Sequence, residues 1–179
     1  MKKNILKYAL MCVMVFSMTA CDDFFMVDTD NILDDKDYIE AQSEMYSGFI
    51  GIATKLQAIG DKAIYLTDTR GELLEPTKNT TSELYSIYNY DTDLTGNSYA
   101  DPAPYYDVII ACNDYMFKLK DYKENSLSID ESHYEALISA SLRIKAWTYL
   151  TIAKIYGEAI WFDDPLRETT DLSKYPILP

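Results

Sequence analysis

A group of tyrosines, with an arginine and an asparagine near them, supplies the side chains best suited to binding chemistry in this sequence. Flat aromatic rings stack on the weakly apolar C–H face of a sugar, while guanidinium and amide groups hydrogen-bond its hydroxyls. The segment between residues 60 and 103 contains both kinds of side chain and no tryptophan. The candidate ligand-binding residues are Arg70, Tyr85, Tyr88, Asn89, Tyr90 and Tyr99.

The same residues have a purely structural interpretation. The tyrosines can pack this segment onto neighbouring helices, and Arg70 can form an ion pair with Asp68 or Glu72. Pro, Gly, Asn and Asp are frequent here and helical periodicity is weak, so the sequence predicts a long irregular loop. Loops of this length inside a compact domain are usually functional.

Residue types typical of catalytic and metal sites are sparse and scattered. His133 is the only histidine, and no set of His and Cys residues has metal-ligand spacing. Asp163 and Asp164 are adjacent and precede Pro165, which favours a turn, whereas the paired carboxylates of a glycosidase face each other across a cleft. We therefore expect no catalytic residue, no metal and no cofactor, and a protein that is not an enzyme.

The N-terminus has the pattern of a lipoprotein signal peptide. Three lysines within the first seven residues precede an uncharged, mostly apolar run, and two small residues lead to Cys21. The run is shorter than the stretch of about 20 apolar residues that spans a membrane. A small residue before cysteine resembles the bacterial lipobox, in which the cysteine thiol receives a lipid. This predicts a signal peptide over residues 1–20 and lipidation of Cys21, with an ordinary signal peptide as the alternative.

Composition restricts the covalent chemistry and the partners of the rest of the chain. Cys12 would leave with the signal and Cys21 would carry lipid, so Cys112 alone remains and no internal disulfide is expected. The net charge of −13 argues against nucleic acid, which requires a basic surface. Acidic residues are dense over residues 21–36, which we interpret as a solvated tether.

The elements that would hold the candidate residues in place are helices. The first is predicted to start at Asp37, with Glu40 three residues later as in a capping box, and to end before Gly60. Two internal glycines, Gly48 and Gly51, weaken this helix and predict the close approach of a neighbouring one.

The second and third helices are predicted to pair. The second starts near Pro104, and the third opens with a Ser128–Glu131 capping box and ends at Gly157. A short loop joins them, so they should be antiparallel neighbours. The apolar stripes are predicted at Ile109, Cys112, Met116 and Leu119 on the second helix, and at Leu137, Ala140, Ile144, Trp147, Thr151 and Ile155 on the third.

Apolar residues also occur on other sides of the third helix. This predicts a helix sandwiched between neighbours, with Trp147 in the core. We expect Trp161 to pack at the helix end.

Four stretches, in order along the chain, resemble the SusD/RagB family of Bacteroidetes outer-membrane lipoproteins. They are CDDFF at 21–25, DTRGEL at 68–73, YYDVIIACNDYMFKL at 105–119 and ASLRIKAWTYLTIAKIYGEAIWF at 140–162. The acidic residues after Cys21 also resemble the surface-export signal of such lipoproteins, an interpretation compatible with a tether.

The resemblance implies an all-α fold of TPR-like helical hairpins with a long irregular ligand-binding region, here over residues 37–179. Family members bind nutrient glycans, and in some branches peptides, as lids on SusC-like TonB-dependent transporters, and they are not enzymes. Their glycan-stacking aromatics lie in the loop that holds the candidate tyrosines. Family members are far longer, so the resemblance implies a truncated, incomplete SusD-like domain.

Two functions of different classes follow. The first is an outer-membrane lipoprotein, facing the cell exterior, that binds glycan or oligosaccharide and hands it to a SusC-like transporter. The second is a TPR-like scaffold lipoprotein that binds a protein or peptide and has no sugar site. A non-functional fragment of a longer SusD-like protein is a further alternative.

Overall fold

Helices dominate the structure, so the all-α class predicted from the sequence is confirmed. The computed structural model describes residues 39–126, 129–166 and 175–179. In these ranges α1 spans Gln42–Ile64 and continues as a π-helical turn over Tyr65–Thr69, α2 spans Ser82–Tyr88, α3 spans Ala103–Asn125, and α4 spans Glu131–Tyr156. Two short antiparallel strands follow, β1 over Ala159–Ile160 and β2 over Ile177–Leu178. None of the described helices has both the length and the apolar composition needed to cross a bilayer.

The N-terminus of α1 is capped from within its own first turn. The Glu44 carboxylate accepts the backbone N–H of Glu40 at 2.7 Å and of Ala41 at 2.9 Å, which satisfies two donors that a helix start leaves unpaired. The predicted cap, Asp37, lies outside the described residues. The carboxylate that caps the first turn therefore belongs to Glu44, whereas the sequence predicts Glu40 for this role.

The prediction that Gly60 ends the first helix is wrong. α1 passes through Gly60 because Ile59 and Ala63 on either side are buried, and their packing outweighs a glycine cost of about 1 kcal/mol. The predicted close approach at Gly51 is also wrong, since apart from the neighbouring backbone of α1 no atom of the described residues lies within 4 Å of the place where a Cβ would stand. Gly48, in contrast, is buried.

α3 and α4 form an antiparallel pair, as the short connection predicts. Near the start of α3 and the end of α4, the rings of Tyr105 and Tyr156 meet edge-on with 6.1 Å between centroids. At the opposite end of the pair, Lys123 forms an ion pair with Glu131. The stripe predicted on α3 is confirmed, because all four of its residues are buried.

α1 packs against both helices of this pair. The Tyr115 hydroxyl of α3 donates a 2.6 Å hydrogen bond to the backbone carbonyl of Met45. The first turns of α1 and α4 meet where the Gln42 side-chain amide lies 2.8 Å from Nδ1 of His133. α1 therefore runs parallel to α4 and antiparallel to α3.

The stripe predicted on α4 is confirmed in part, because Leu137 and Thr151 are buried and only Trp147 is exposed. Trp147, expected in the core, is 44% exposed, whereas Ser141, Lys145 and Thr148 are buried. The hydroxyls of Ser141 and Thr148 each donate, at 2.8 Å, to the carbonyl oxygen four residues earlier. Because these hydroxyls are hydrogen-bonded within the helix, the two polar residues can be buried without an unpaired group. A prediction from apolar residues alone does not include them in the buried face.

The opposite side of α4 remains open to solvent, so the prediction of a helix sandwiched between neighbours is wrong for this side. Leu142 is 50% exposed and Leu150 is 52% exposed. We call this surface the outer face of α4 and define it by Leu142, Arg143, Ala146, Trp147, Leu150 and Lys154, all of which are exposed.

α4 begins with a different capping residue from the predicted one, and it ends at the predicted glycine. The Asp130 carboxylate caps the helix by accepting the N–H groups of Ser132 and His133, and the bond from His133 contributes most to holding the pKa of Asp130 below its usual value. Ser128, the predicted cap, lies outside the described residues. Gly157 ends the helix with a φ of +83°, the left-handed conformation that glycine adopts without a steric penalty.

Candidate ligand-binding site

The candidate residues lie between the end of α1 and the start of α3. Helical structure occupies more of this region than predicted, because the π-helical turn and α2 are anchored by the buried side chains of Leu66, Thr69 and Ile87. The irregular loop predicted over residues 60–103 is therefore restricted to residues 70–81 and 89–102.

Two hydrogen bonds link Arg70 to the adjacent residues Tyr90 and Asp91. The Tyr90 hydroxyl donates to the carbonyl oxygen of Arg70 at 2.7 Å, and the Arg70 guanidinium donates to the carbonyl oxygen of Asp91 at 3.0 Å. Among the described residues Arg70 has no ion pair with Asp68 or Glu72, so the ion-pair alternative is not what the structure shows. The arrangement joins two segments that lie 20 residues apart in sequence.

The ring of Tyr90 is exposed to solvent while its hydroxyl is hydrogen-bonded. It is 51% exposed, although its hydroxyl is held by the Arg70 carbonyl. Tyr90 has a φ of +59°, a left-handed conformation that is uncommon for a residue with a Cβ. This residue follows Asn89, the exposed C-cap of α2, and turns the chain so that the hydroxyl reaches Arg70.

α2 contributes a second exposed ring. Tyr85 is 37% exposed, and its hydroxyl donates to the carbonyl oxygen of Thr77 at 3.2 Å. Thr81 caps this short helix by accepting the N–H of Leu84 at 3.4 Å. Tyr88, at the last position of α2, is half-buried. Tyr85 thus resembles Tyr90 in having an exposed ring and a tethered hydroxyl.

Tyr99 is engaged with the end of α1. Its ring meets that of Tyr65 edge-on with 5.4 Å between centroids, and the Lys62 ammonium lies 5.8 Å from its centroid. The ring is half-buried. For this residue the structural interpretation, in which a loop tyrosine packs on a helix, fits the geometry best.

Two residues that sequence reasoning missed hold the second loop in place. The buried Asn97 side chain donates to the carbonyl oxygen of Glu83 at 2.8 Å and to the Ser86 hydroxyl at 3.1 Å. The Glu83 carboxylate accepts the backbone N–H of Ser98 at 2.8 Å. The only sequence signal for these two residues is the turn-rich composition around Asn97. It predicts a loop but does not predict which residues Asn97 hydrogen-bonds.

A cleft of about 420 Å³ opens beside this loop, but it holds none of the candidate residues. It is lined by Leu94, Thr95, Gly96, Asn97, Ser98, Ala100, Asp101 and Pro102. At its edge, hydrogen bonds from the Thr95 hydroxyl and backbone N–H hold the pKa of Asp93 below its usual value. The exposed aromatic rings and the cleft are therefore separate features of the same region.

The described residues contain no set of three His, Cys, Asp or Glu side chains that could hold a metal ion. Burial raises the pKa of the Cys112 thiol to about 12, which keeps it protonated and unreactive. The predicted lipidation site, Cys21, lies outside the described residues. Comparison with protein-family models, with curated proteins and with solved structures finds no match to this chain.

Proposed function

We propose that this chain is a lipid-anchored protein of the outer membrane, facing the cell exterior, that binds nutrient glycans. The observation that carries the proposal is the exposed ring of Tyr90, held by its bond to Arg70. An aromatic face that is ordered before the ligand arrives loses little conformational entropy on binding. Tyr85 supplies a second ring of the same kind.

The polar side chains around these rings suit the hydroxyls of a sugar. The Arg70 guanidinium uses one donor on the Asp91 carbonyl, and a guanidinium carries five N–H donors in total. Asn89 is exposed beside Tyr90 and provides an amide donor and acceptor. A ring with such neighbours can stack on one face of a sugar while the polar groups bind its edge.

The remaining parts of the proposal rest on the sequence. The lipobox resemblance supports an anchor on Cys21, and the resemblance to the SusD/RagB family supports a SusC-like TonB-dependent transporter as the partner that receives the glycan. In this proposal α3 and α4 form one TPR-like hairpin of a SusD-like domain. The net charge of −13 disfavours nucleic acid as an alternative ligand.

Affinity electrophoresis against a panel of polysaccharides tests the glycan site. At least one neutral polysaccharide should retard the full chain, and Tyr90→Ala and Tyr85→Ala should each weaken that retardation. Tyr46→Ala is the matched control, because Tyr46 is 41% exposed on α1 and lies outside the site. Absence of retardation across the panel, or equal retardation of the Tyr90→Ala and wild-type proteins, would contradict the proposal.

Metabolic labelling tests the anchor separately. Radiolabelled palmitate should enter the wild-type chain, and Cys21→Ser should abolish incorporation. Labelling that persists in this variant would exclude Cys21 as the lipidation site. Co-purification of a β-barrel transporter from detergent-solubilised outer membranes tests the partner.

A further inference from the structure

The outer face of α4 combines apolar residues in a line with exposed positive charge. Leu142, Ala146 and Leu150 follow one another at intervals of four residues, so they form a ridge about 12 Å long on one side of the helix. Trp147, exposed beside this ridge, adds a large aromatic surface. Contiguous exposed apolar residues of this kind mark interaction surfaces in soluble domains.

The charges on this face differ in sign from those of the chain as a whole. No acidic residue occurs between positions 136 and 157, although the net charge of the chain is −13. Arg143 and Lys154 are exposed on the outer face, and neither pairs with a carboxylate in the described part of the chain. The face therefore presents two unneutralised cations beside an apolar ridge.

We propose that the outer face of α4 docks an acidic amphipathic helix of a partner protein. Such a helix would lay apolar residues, spaced three and four apart, against Leu142, Ala146 and Leu150. Its carboxylates would meet Arg143 and Lys154, which are eleven positions apart and therefore separated by about 16 Å along the axis. The apolar contact supplies most of the affinity, and the charges select an acidic partner over a basic one.

Charge also argues against two other occupants. A second copy docking by the same face would oppose Arg143 and Lys154 with identical cations across a two-fold axis. An anionic membrane surface would be repelled by the rest of a chain with a net charge of −13. The surface shares no residue with the proposed glycan site, so the two proposals succeed or fail independently.

Two designed peptides of about 18 residues, five helical turns, provide the probes. They have the same leucine pattern, but one carries Glu and the other Lys at the flanking positions. Fluorescence anisotropy of the labelled peptides, titrated with the full chain, should show binding of the acidic peptide that weakens between about 50 and 500 mM NaCl. The basic peptide should bind about tenfold more weakly or not at all.

Variants of the chain assign the binding to the outer face. Leu150→Ser, and separately the double variant Arg143→Glu with Lys154→Glu, should each weaken acidic-peptide binding by about tenfold. The double variant Lys55→Glu with Lys120→Glu is the control, since it makes the same charge change at exposed positions on α1 and α3 and should bind as wild type. Circular dichroism verifies that each variant is folded.

Three outcomes overturn the proposal. Equal affinity for the two peptides would remove the charge argument, and an unchanged affinity in the Arg143→Glu/Lys154→Glu variant would place the binding elsewhere. A chain that sediments as a dimer, and returns to a monomer with Leu150→Ser, would show that a second copy occupies this face.

Discussion

The ammonium group of Lys145 lies 2.6 Å from the carboxylate of Asp163, although Lys145 is buried and Asp163 is exposed. The same ammonium lies 5.2 Å from the ring centroid of Trp161. The segment that follows α4 therefore folds back and neutralises a charge on the buried face of that helix. Trp161 packs on Tyr149 with 4.5 Å between centroids, as expected for a helix-end residue.

Asp163→Asn should lower the free energy of unfolding by about 1–3 kcal/mol, because it leaves a buried ammonium without its counter-charge. Lys145→Met should cost less, since it removes the charge together with the need to neutralise it. Urea denaturation measures both. Asp164→Asn is the control and should be close to wild type, and a Lys145→Met variant less stable than Asp163→Asn would contradict this account.

Tyr149→Phe should destabilise the fold by about 1–3 kcal/mol. The Tyr149 hydroxyl accepts the backbone N–H of Phe162 at 3.2 Å, so the substitution leaves this buried N–H without its partner. The Phe162 carbonyl oxygen, 3.3 Å from the same hydroxyl, keeps the hydrogen bond that the Asn113 side chain donates at 3.1 Å. Thermal unfolding provides the measurement. Tyr46→Phe removes an exposed hydroxyl from α1 and should leave the melting temperature unchanged; an equal loss in both variants would argue against a specific role for Tyr149.

Two glycine substitutions should change stability in opposite directions. Gly60→Ala should stabilise by about 1 kcal/mol, because the residue is helical and, apart from the neighbouring backbone of α1, no atom of the described residues lies within 4 Å of the new Cβ. Gly157→Ala should destabilise by about 1 kcal/mol, because its φ of +83° is unfavourable for alanine. Chemical denaturation of the two single variants decides this, and the same sign for both would refute the backbone explanation.

Stability should decline at alkaline pH. Burial raises the pKa of Cys112 from 9.0 to about 12 and of Tyr149 from 10.0 to about 12. The unfolded chain then loses these protons at lower pH than the folded chain, so their contribution to stability is complete below about pH 9 and lost as pH rises to about 12. Urea denaturation at a series of pH values measures the decline, and Cys112→Ala should move its onset from about pH 9 to about pH 10. A curve that stays flat to pH 12 would contradict the prediction.

The sequence pattern predicts the helices correctly where apolar side chains are the buried ones. The four apolar residues on α3 point inward, and Gly157 ends α4. On α4 the pattern misses part of the buried face, because Ser141 and Thr148 hydrogen-bond their hydroxyls within the helix and Lys145 pairs with Asp163, 18 residues away. A hydropathy pattern does not include partners at that separation.

The candidate site was predictable in composition but not in arrangement. Arg70 and Tyr90 were expected as separate ligand contacts, yet their contact depends on a π-helical turn before one and a left-handed conformation in the other. Neither feature has a reliable sequence signal, and π-helical turns occur frequently at functional sites. The role of Asn97 depends on Glu83, which is 14 residues earlier in the chain.

The conformation of Tyr90 places two demands on one position. Its backbone torsion suits glycine or asparagine better than tyrosine, while the exposed surface at this point is an aromatic ring. In a library of variants randomised at position 90, the residue types that are enriched should therefore depend on the selection applied. Survival of heating would enrich the small flexible residues, and retention on immobilised polysaccharide would enrich the aromatic ones, so that thermal tolerance and ligand capture compete at a single codon.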